Sequence, residues 1–512
     1  MRKVLIGLGL CLSLMFFCST TCQSDEAYPE PPPLELSLQK AILLALSNNI
    51  DVKIERLQPQ IAETDIKAQE SVFDPAVTAE VAKGVSRRQS EAAVFLTGSP
   101  EPFQSTFEAT AGLQKKFTTG ATAGLAFQNG RLSSNSAVQR FDPSWGSELV
   151  LSLTQPLLKD SGREFNLGQI VIAKNTREIS DAQFKQRVID VVSAVEETYW
   201  DLFRAIELLD VAEQSLGLAQ ELLEINKAKV EAGQLAPIDV VEAEAGVAVR
   251  EEAVILAEDA IRDVEELLRS LLDIDKSPEF PVPPIIPVDR PFDTRFSFSL
   301  PESLRTAFAN RPDYLQTKKD LENRRIAIDL AKNQVRPRVD LVASAGVNGL
   351  GSTWENNIEE LDGDYYDLRI GLRFEYPLGN RAAKSQLARR RLERRQIEFR
   401  IENLEKDITL QVRSAIRQMQ TNFKRIQTTR VSRRLAEKKL EAEQAKFEVG
   451  ISTTKDVLDF QVDLALARVR DTEALIDYNK SLIALYQSLG TTLEQNRITT
   501  DLWEQSQDGP TG

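Results

Sequence analysis

Asp456 and Asp459 stand three residues apart, just past the glycine of Val449-Gly450-Ile451-Ser452-Thr453-Thr454. On a helix that spacing puts both carboxylates on one face. Repeated around a symmetry axis, such a face makes stacked rings of negative potential that draw cations to a narrow mouth. The competing reading is local: an aspartate near a helix start caps free N–H groups and complements the helix dipole. Spacing by itself favours the cap. Other chemistry is scarce. The 512 residues include no histidine and three cysteines, Cys11, Cys18 and Cys22, which removes histidine bases, histidine-activated nucleophiles and the commonest zinc ligand. Gly7-Leu8-Gly9 falls in the leader, and no phosphate-binding loop occurs elsewhere. The expectation is no catalytic, cofactor-binding or metal site, and therefore no enzyme. A formal charge of −14 argues against nucleic acid as a partner.

The chain opens Met1-Arg2-Lys3, runs apolar from Val4 to Phe17, and continues Cys18-Ser19-Thr20-Thr21-Cys22. This pattern predicts a secretory signal peptide over residues 1–22, because the apolar run is shorter than the roughly 20 residues of a membrane span. A lipidated Cys22 is the other reading, although Ser19-Thr20-Thr21 is a poor match to the motif that directs it. All three cysteines lie in this leader, so the exported body holds no disulfide framework. No later segment offers eighteen consecutive apolar residues. If the exported chain crosses a membrane, it does so with strands.

One order of signals occurs twice, over residues 36–275 and 299–491: a helical run, a proline, alternating strands, a strand closing on proline and leucine, then a long helix that folds back at a glycine. Gln155-Pro156-Leu157-Leu158 answers Tyr376-Pro377-Leu378-Gly379, and Ala232-Gly233-Gln234 answers Val449-Gly450-Ile451. A duplication this long argues for symmetric architecture. Leu38, Ile42, Leu46, Ile50 and Ile54 predict one helix from 36 to 72, stopped by Phe73-Asp74-Pro75; its counterpart spans 300–335 and stops at Arg336-Pro337. After each proline the period becomes two. Val339, Leu341, Ala343, Ala345 and Val347 share one face, as do Leu368, Ile370, Leu372 and Phe374, with Arg369, Arg373 and Glu375 opposite; Leu149, Leu151 and Leu153 repeat the pattern. Such strands fit a barrel with lipid outside and water inside; alternation alone fits a soluble sandwich equally well. Residues 107–128 read as an added hairpin around Thr118-Thr119-Gly120, without a counterpart in the second half. Its place, inside a barrel or beside one, is open at this level.

Two helices of about 68 residues follow, over 166–232 and 381–449. Val188, Val192, Val195, Tyr199, Leu202, Ile206 and Leu209 form a heptad seam in the first. Helices at 237–272 and 300–335 together match one long helix and are expected to stack end to end beside it. A proline-rich lead (23–35), a proline-rich linker (276–298) and a mobile polar tail (492–512) complete the chain. Arg389, Arg390, Arg391, Arg394, Arg395 and Arg400 read as a solvated helix face.

Four strands, or six with the hairpin, are fewer than the roughly eight that close a spanning barrel. Unpaired edges cannot face hydrocarbon, so the sheet must be shared among copies of the chain. In this order, from about Leu36 to Leu493, the signals resemble the TolC-like outer membrane efflux protein family (outer membrane factors). They are the two copies, the proline before the first strand, Gln155-Pro156-Leu157-Leu158, the turns Ala232-Gly233 and Val449-Gly450, and Asp456-Val457-Leu458-Asp459. The resemblance implies a mixed α and β membrane protein: a homotrimeric, twelve-stranded β-barrel in the outer membrane, in contact with its lipid and continued by a long periplasmic α-helical barrel. It implies a passive channel for tripartite efflux or type I secretion, served by a periplasmic adaptor and an inner-membrane pump of the RND or ABC type. It also favours Asp456 and Asp459 as an acidic ring at the periplasmic entrance, and the turns at Gly233 and Gly450 as the docking tip for the adaptor. In the family's best-known member a tyrosine and an arginine near the tip engage an aspartate and help hold the tunnel closed. The matching positions are Phe447, Ser452 and Asp239, so gating here is expected to use different bonds. The alternative function is a structural coiled-coil spacer of the envelope without a pore.

Overall fold

The computed structural model describes residues 32–87, 101–136, 138–274 and 283–498. The expected signal peptide, most of the proline-rich lead, the start of the linker and the last part of the tail lie outside the described residues. In chain order the elements are β1 (Leu34–Leu36), α1 (Leu38–Asn48), α2 (Ile50–Glu70), β2 (Ala76–Arg87), β3 (Phe103–Lys116), β4 (Thr122–Ser134), β5 (Ser144–Pro156), α3 (Arg163–Glu231) and α4 (Pro237–Leu272). Then come β6 (Ile285–Pro287), α5 (Leu300–Asn310), α6 (Pro312–Val335), β7 (Arg338–Gly351), α7 (Trp354–Glu359), β8 (Tyr366–Glu375), α8 (Arg381–Glu448), α9 (Thr454–Leu489) and α10 (Thr492–Gln495).

The single helices expected over 36–72 and 300–335 are each broken. Asn49 leaves the helical region (φ −53°, ψ 126°) and caps α2, its Oδ1 accepting from the Val52 amide (3.2 Å). Arg311 breaks the second because the residue before a proline is pushed toward extended backbone; its φ is −67° and ψ 121°. These breaks serve as joints. Asn49 Nδ2 donates to Leu271 O (3.1 Å) at the end of α4, and the Arg311 guanidinium donates to Ser488 O (3.2 Å) at the end of α9. So α4 abuts the α1–α2 joint of its own half, and α9 abuts the α5–α6 joint. The end-to-end stack expected between 237–272 and 300–335 is replaced by these pairings.

The long helix α3 is the spine. It packs against α4 and α2 on one side and against α9 and α6 on the other, while α8 lines the far side of α9 and α6. The predicted heptad seam points inward: Val188, Val192, Val195, Tyr199 and Leu202 are all fully buried, in one cluster with Ile42, Leu268 and Ile476. At the waist β1 and β6 pair in parallel, joining the lead to the linker. Tyr199 pins both, its hydroxyl donating to Leu36 O (3.0 Å) and accepting from the Asp289 amide (3.1 Å). The tail also departs from expectation at its start. α10 is docked, Leu493 and Ile498 are buried in the same cluster, and Asn496 donates to Glu196 Oε1 (3.0 Å).

Above the helices lies one antiparallel sheet of order β2-β3-β4-β5-β7-β8. The added hairpin is therefore part of the sheet, as β3 and β4, and longer than its sequence signal. Among the described residues this sheet has six strands, where the twelve-strand expectation takes four from each chain.

Candidate functional site

Farthest from the sheet, the two long helices turn back at glycines. Gly233 (φ 69°) and Gly450 (φ 79°) are left-handed, a conformation glycine adopts without strain. Both turns close with one bonding pattern: Gly233 N donates to Val230 O (2.9 Å) and Gln234 N to Lys229 O (2.8 Å), as Gly450 N does to Phe447 O (3.2 Å) and Ile451 N to Lys446 O (2.9 Å). A side chain at either glycine would meet open space, so backbone conformation and not crowding selects the residue. Around these turns Ile238, Val241, Val449 and Ile451 expose their apolar side chains.

Thr453 starts α9 with a reciprocal cap. Its hydroxyl oxygen accepts from the Asp456 amide (3.2 Å), and Asp456 Oδ2 accepts from the Thr453 amide (3.2 Å). The hydrogen bonds from Thr453 hold the Asp456 carboxyl below the usual carboxylate range, with Lys455 and Lys446 adding to the effect. Asp459 is exposed one turn on, and Asp463 is exposed a turn beyond it. The three carboxylates share a helix face, and the spacing of Asp463 was legible in the sequence. Asp456 thus makes the local cap and carries a fixed negative charge at the tip.

Asp239, Phe447 and Ser452 do not bond one another. The Asp239 carboxylate accepts from the Ala236 amide (3.1 Å) at the start of α4. Ser452 donates to Glu443 Oε1 (2.6 Å), and that hydroxyl, with Lys446, keeps Glu443 ionised to lower pH than usual. Phe447 is buried among Leu222, Leu440, Val457 and Leu464, which come from α3, α8 and α9. Its partner is Lys229, near the end of α3: the ammonium lies 4.0 Å from the ring centroid and donates to Phe447 O (2.7 Å). Beside this contact the fully buried Asn226 donates to Asp239 O (3.0 Å) and to Thr454 Oγ1 (3.0 Å), tying α3 to the starts of α4 and α9. Lys229 and Asn226 were not singled out in the sequence, because Phe447 and Thr454, which they join to α3, lie 218 and 228 residues away.

The chain is thus a wall of long helices beneath an amphipathic sheet, with a capped acidic tip. The sequence matches the Outer membrane efflux protein family over residues 41–273 and 304–491. The chain belongs to that family. It is 25% identical over 328 residues to the outer membrane protein TolC of Vibrio cholerae serotype O1, covering 62% of this chain and 71% of the relative. Its fold is similar to that of the outer-membrane channel OprN (TM-score 0.66, 14% identity, covering 89% of this chain and 90% of that one). It is also similar to the Campylobacter jejuni CmeC outer membrane channel (TM-score 0.64, 16% identity, covering 93% and 90%). The efflux protein is accordingly an outer-membrane transport protein, and the pore-less spacer is not favoured. At the tip of this efflux protein Phe447 has no hydrogen-bonding side-chain group and Ser452 bonds Glu443, so neither engages Asp239.

Proposed function

We propose that three copies of this efflux protein stand side by side as a cylinder, a barrel in the outer membrane continued by a helical tunnel in the periplasm. Cargo passes through it without bond chemistry, delivered by an inner-membrane pump of the RND or ABC type through a periplasmic adaptor that docks at the turns of Gly233 and Gly450. The supporting observation is a wall left open along both edges. On α2, Ile50, Ile54, Leu57 and Ile61 form a heptad-spaced stripe, each more than 50% exposed, and on the opposite edge α8 exposes Leu392, Phe399 and Leu410. Contiguous exposed apolar stripes of this kind call for a protein partner. Identical subunits supply one by closed symmetry. At the mouth, Asp456 and Asp459 of three copies make acidic rings that favour cations, and the contact of Lys229 with Phe447, with Asn226 beside it, holds the tip shut.

The test is electrophoresis and planar-bilayer recording on the purified protein. The expected result is a heat-dissociable trimer that conducts ions. A stable monomer without conductance overturns the proposal. Cysteine cross-linking from Ile451 to a co-expressed adaptor tests the docking tip.

A further inference from the structure

We infer that each chain supplies six strands to the membrane wall, so that three copies close an eighteen-stranded barrel, wider than the twelve strands implied by the family resemblance. This rests on the trimeric duct proposed above.

The hairpin is built into the sheet along its whole length. β3 pairs with β2 from Ala76↔Gln114 to Arg87↔Phe103, and β4 pairs with β5 from Thr122↔Thr154 to Leu132↔Ser144. Its faces continue those of the other strands. One cross-strand row reads Val77, Leu113, Leu125, Leu151, Ala345 and Leu368, apolar on all six strands. Three residues along, on the opposite face, a row reads Glu80, Thr110, Gln128, Glu148 and Asn348. A hairpin lying outside a barrel would have no reason to keep apolar and polar faces in phase with the wall. Lipid outside and water inside impose that phase on every strand.

The lower turn of the hairpin is also fitted to the wall. Gly162 N donates to Thr119 O (3.1 Å) where β5 passes into α3, and Gly120 (φ 93°) lies so close that a Cβ there would sit 2.5 Å from Asp160 O. The helices beneath run in the order α2, α3, α6, α8 and connect to β2, β5, β7 and β8. β3 and β4 fill the gap between the first two.

Wall widths agree. With strands about 4.8 Å apart and tilted by about 40°, six cover roughly 38 Å of circumference and four only about 25 Å. Four helices at about 9 Å spacing cover roughly 36 Å. The remaining edges, β2 and β8, are exposed along nearly all of their 12 and 10 residues. In an alternating sheet of six they run in opposite directions, so β8 of one copy pairs antiparallel with β2 of the next. No unpaired edge is then left in hydrocarbon. Eighteen strands enclose a water-filled channel of porin width.

Cryo-electron microscopy of the full-length protein in lipid nanodiscs counts the strands directly, with bilayer conductance measured on the same preparation. Eighteen strands with the hairpin in the wall are expected. In support, single cysteines at Thr110 and Gln128 should react with water-soluble thiol reagents that enter the lumen, while those at Leu113 and Leu125 should react only with lipid-soluble reagents. A conducting trimer with twelve strands and the hairpin outside, both its faces reacting with water-soluble reagents, overturns the eighteen-stranded wall and leaves the duct intact. A particle with no barrel and no conductance overturns the duct itself.

Discussion

Lys229 illustrates how one side chain joins two distant turns. Its ammonium holds both the ring and the carbonyl of Phe447, where a cation–π contact with a partly desolvated lysine contributes about 2 kcal/mol and a charged hydrogen bond a comparable amount. Lys229→Met keeps the apolar stem and removes both. The expected outcome is loss of at least about 2 kcal/mol from the closed tip, or roughly a thirtyfold rise in the resting open population, read as single-channel open probability. Lys227→Met, which only loses a surface pair with Glu224, is the control; equal behaviour of the two variants rules the latch out. For the acidic mouth, divalent or trivalent cations should block conductance, and Asp459→Asn combined with Asp456→Asn should abolish the block. Unchanged block rules the rings out. Asp456→Asn alone weakens the α9 cap by a few tenths to about 1 kcal/mol, so Asp459→Asn alone isolates the charge. A third residue reports on the waist. Burial raises the Glu196 carboxyl to about 7, against the opposing hydrogen bond from Asn496. The native state therefore retains a proton that the unfolded chain releases at lower pH, and stability falls as pH rises from about 4.5 to about 7. Glu196→Gln should gain up to roughly 3 kcal/mol at pH 8 and almost nothing at pH 4, measured by thermal unfolding in detergent.

Among the elements, the hairpin of β3 and β4 has the most to test. Gly120→Val forces a β-branched residue to φ 93° and drives its Cβ against Asp160 O. The left-handed backbone alone costs about 1–2 kcal/mol, and the clash adds to it. The trimer should dissociate at lower temperature in electrophoresis, while Gly162→Ala, with open space at its Cβ position, should act only through its own positive φ. Equal, small effects would mean that the turn is not seated on the β5–α3 junction. The periodicities of two and of seven were plain in the sequence because each is imposed by a solvent boundary running the length of an element: Leu149, Leu151 and Leu153 alternate, and Val188 to Leu202 follow heptads. Joints were not legible. Asn49 caps α2 through Oδ1 and gives its Nδ2 to the carbonyl of Leu271, over two hundred residues on, and no local pattern encodes that second bond. The hairpin was visible as a hairpin, but its position in the sheet depends on pairing with strands whose order sequence does not give. At the tip, the glycine turns and Asp456 were found from spacing, whereas the partner of Phe447 required the fold.

For the molecule as a whole, each chain is a strip of wall whose interior faces are satisfied and whose two margins are not. The sheet ends on β2 and β8, the upper helices on α2 and α8, and both helical margins carry apolar stripes. In the cylinder proposed above, margins open on the same two sides at every level are closed by one rotation, so a single symmetry serves barrel and tunnel together. The stripe on α2 is the place to break it. Ile54 and Leu57 are 53% and 52% exposed in one chain, so replacing them leaves the core of that chain intact. In the proposed cylinder Ile54→Lys with Leu57→Lys buries two like charges against α8 of the next copy, and a buried unpaired charge costs several kcal/mol. With three such seams per cylinder, the double variant should be recovered as a folded monomer with helical circular dichroism unchanged and bilayer conductance lost. Ile54→Leu with Leu57→Ile should retain the trimer. A lysine variant that still assembles and conducts would mean that α2 faces lipid-free solvent and not a neighbouring chain, and the closure of the wall would have to come from another margin.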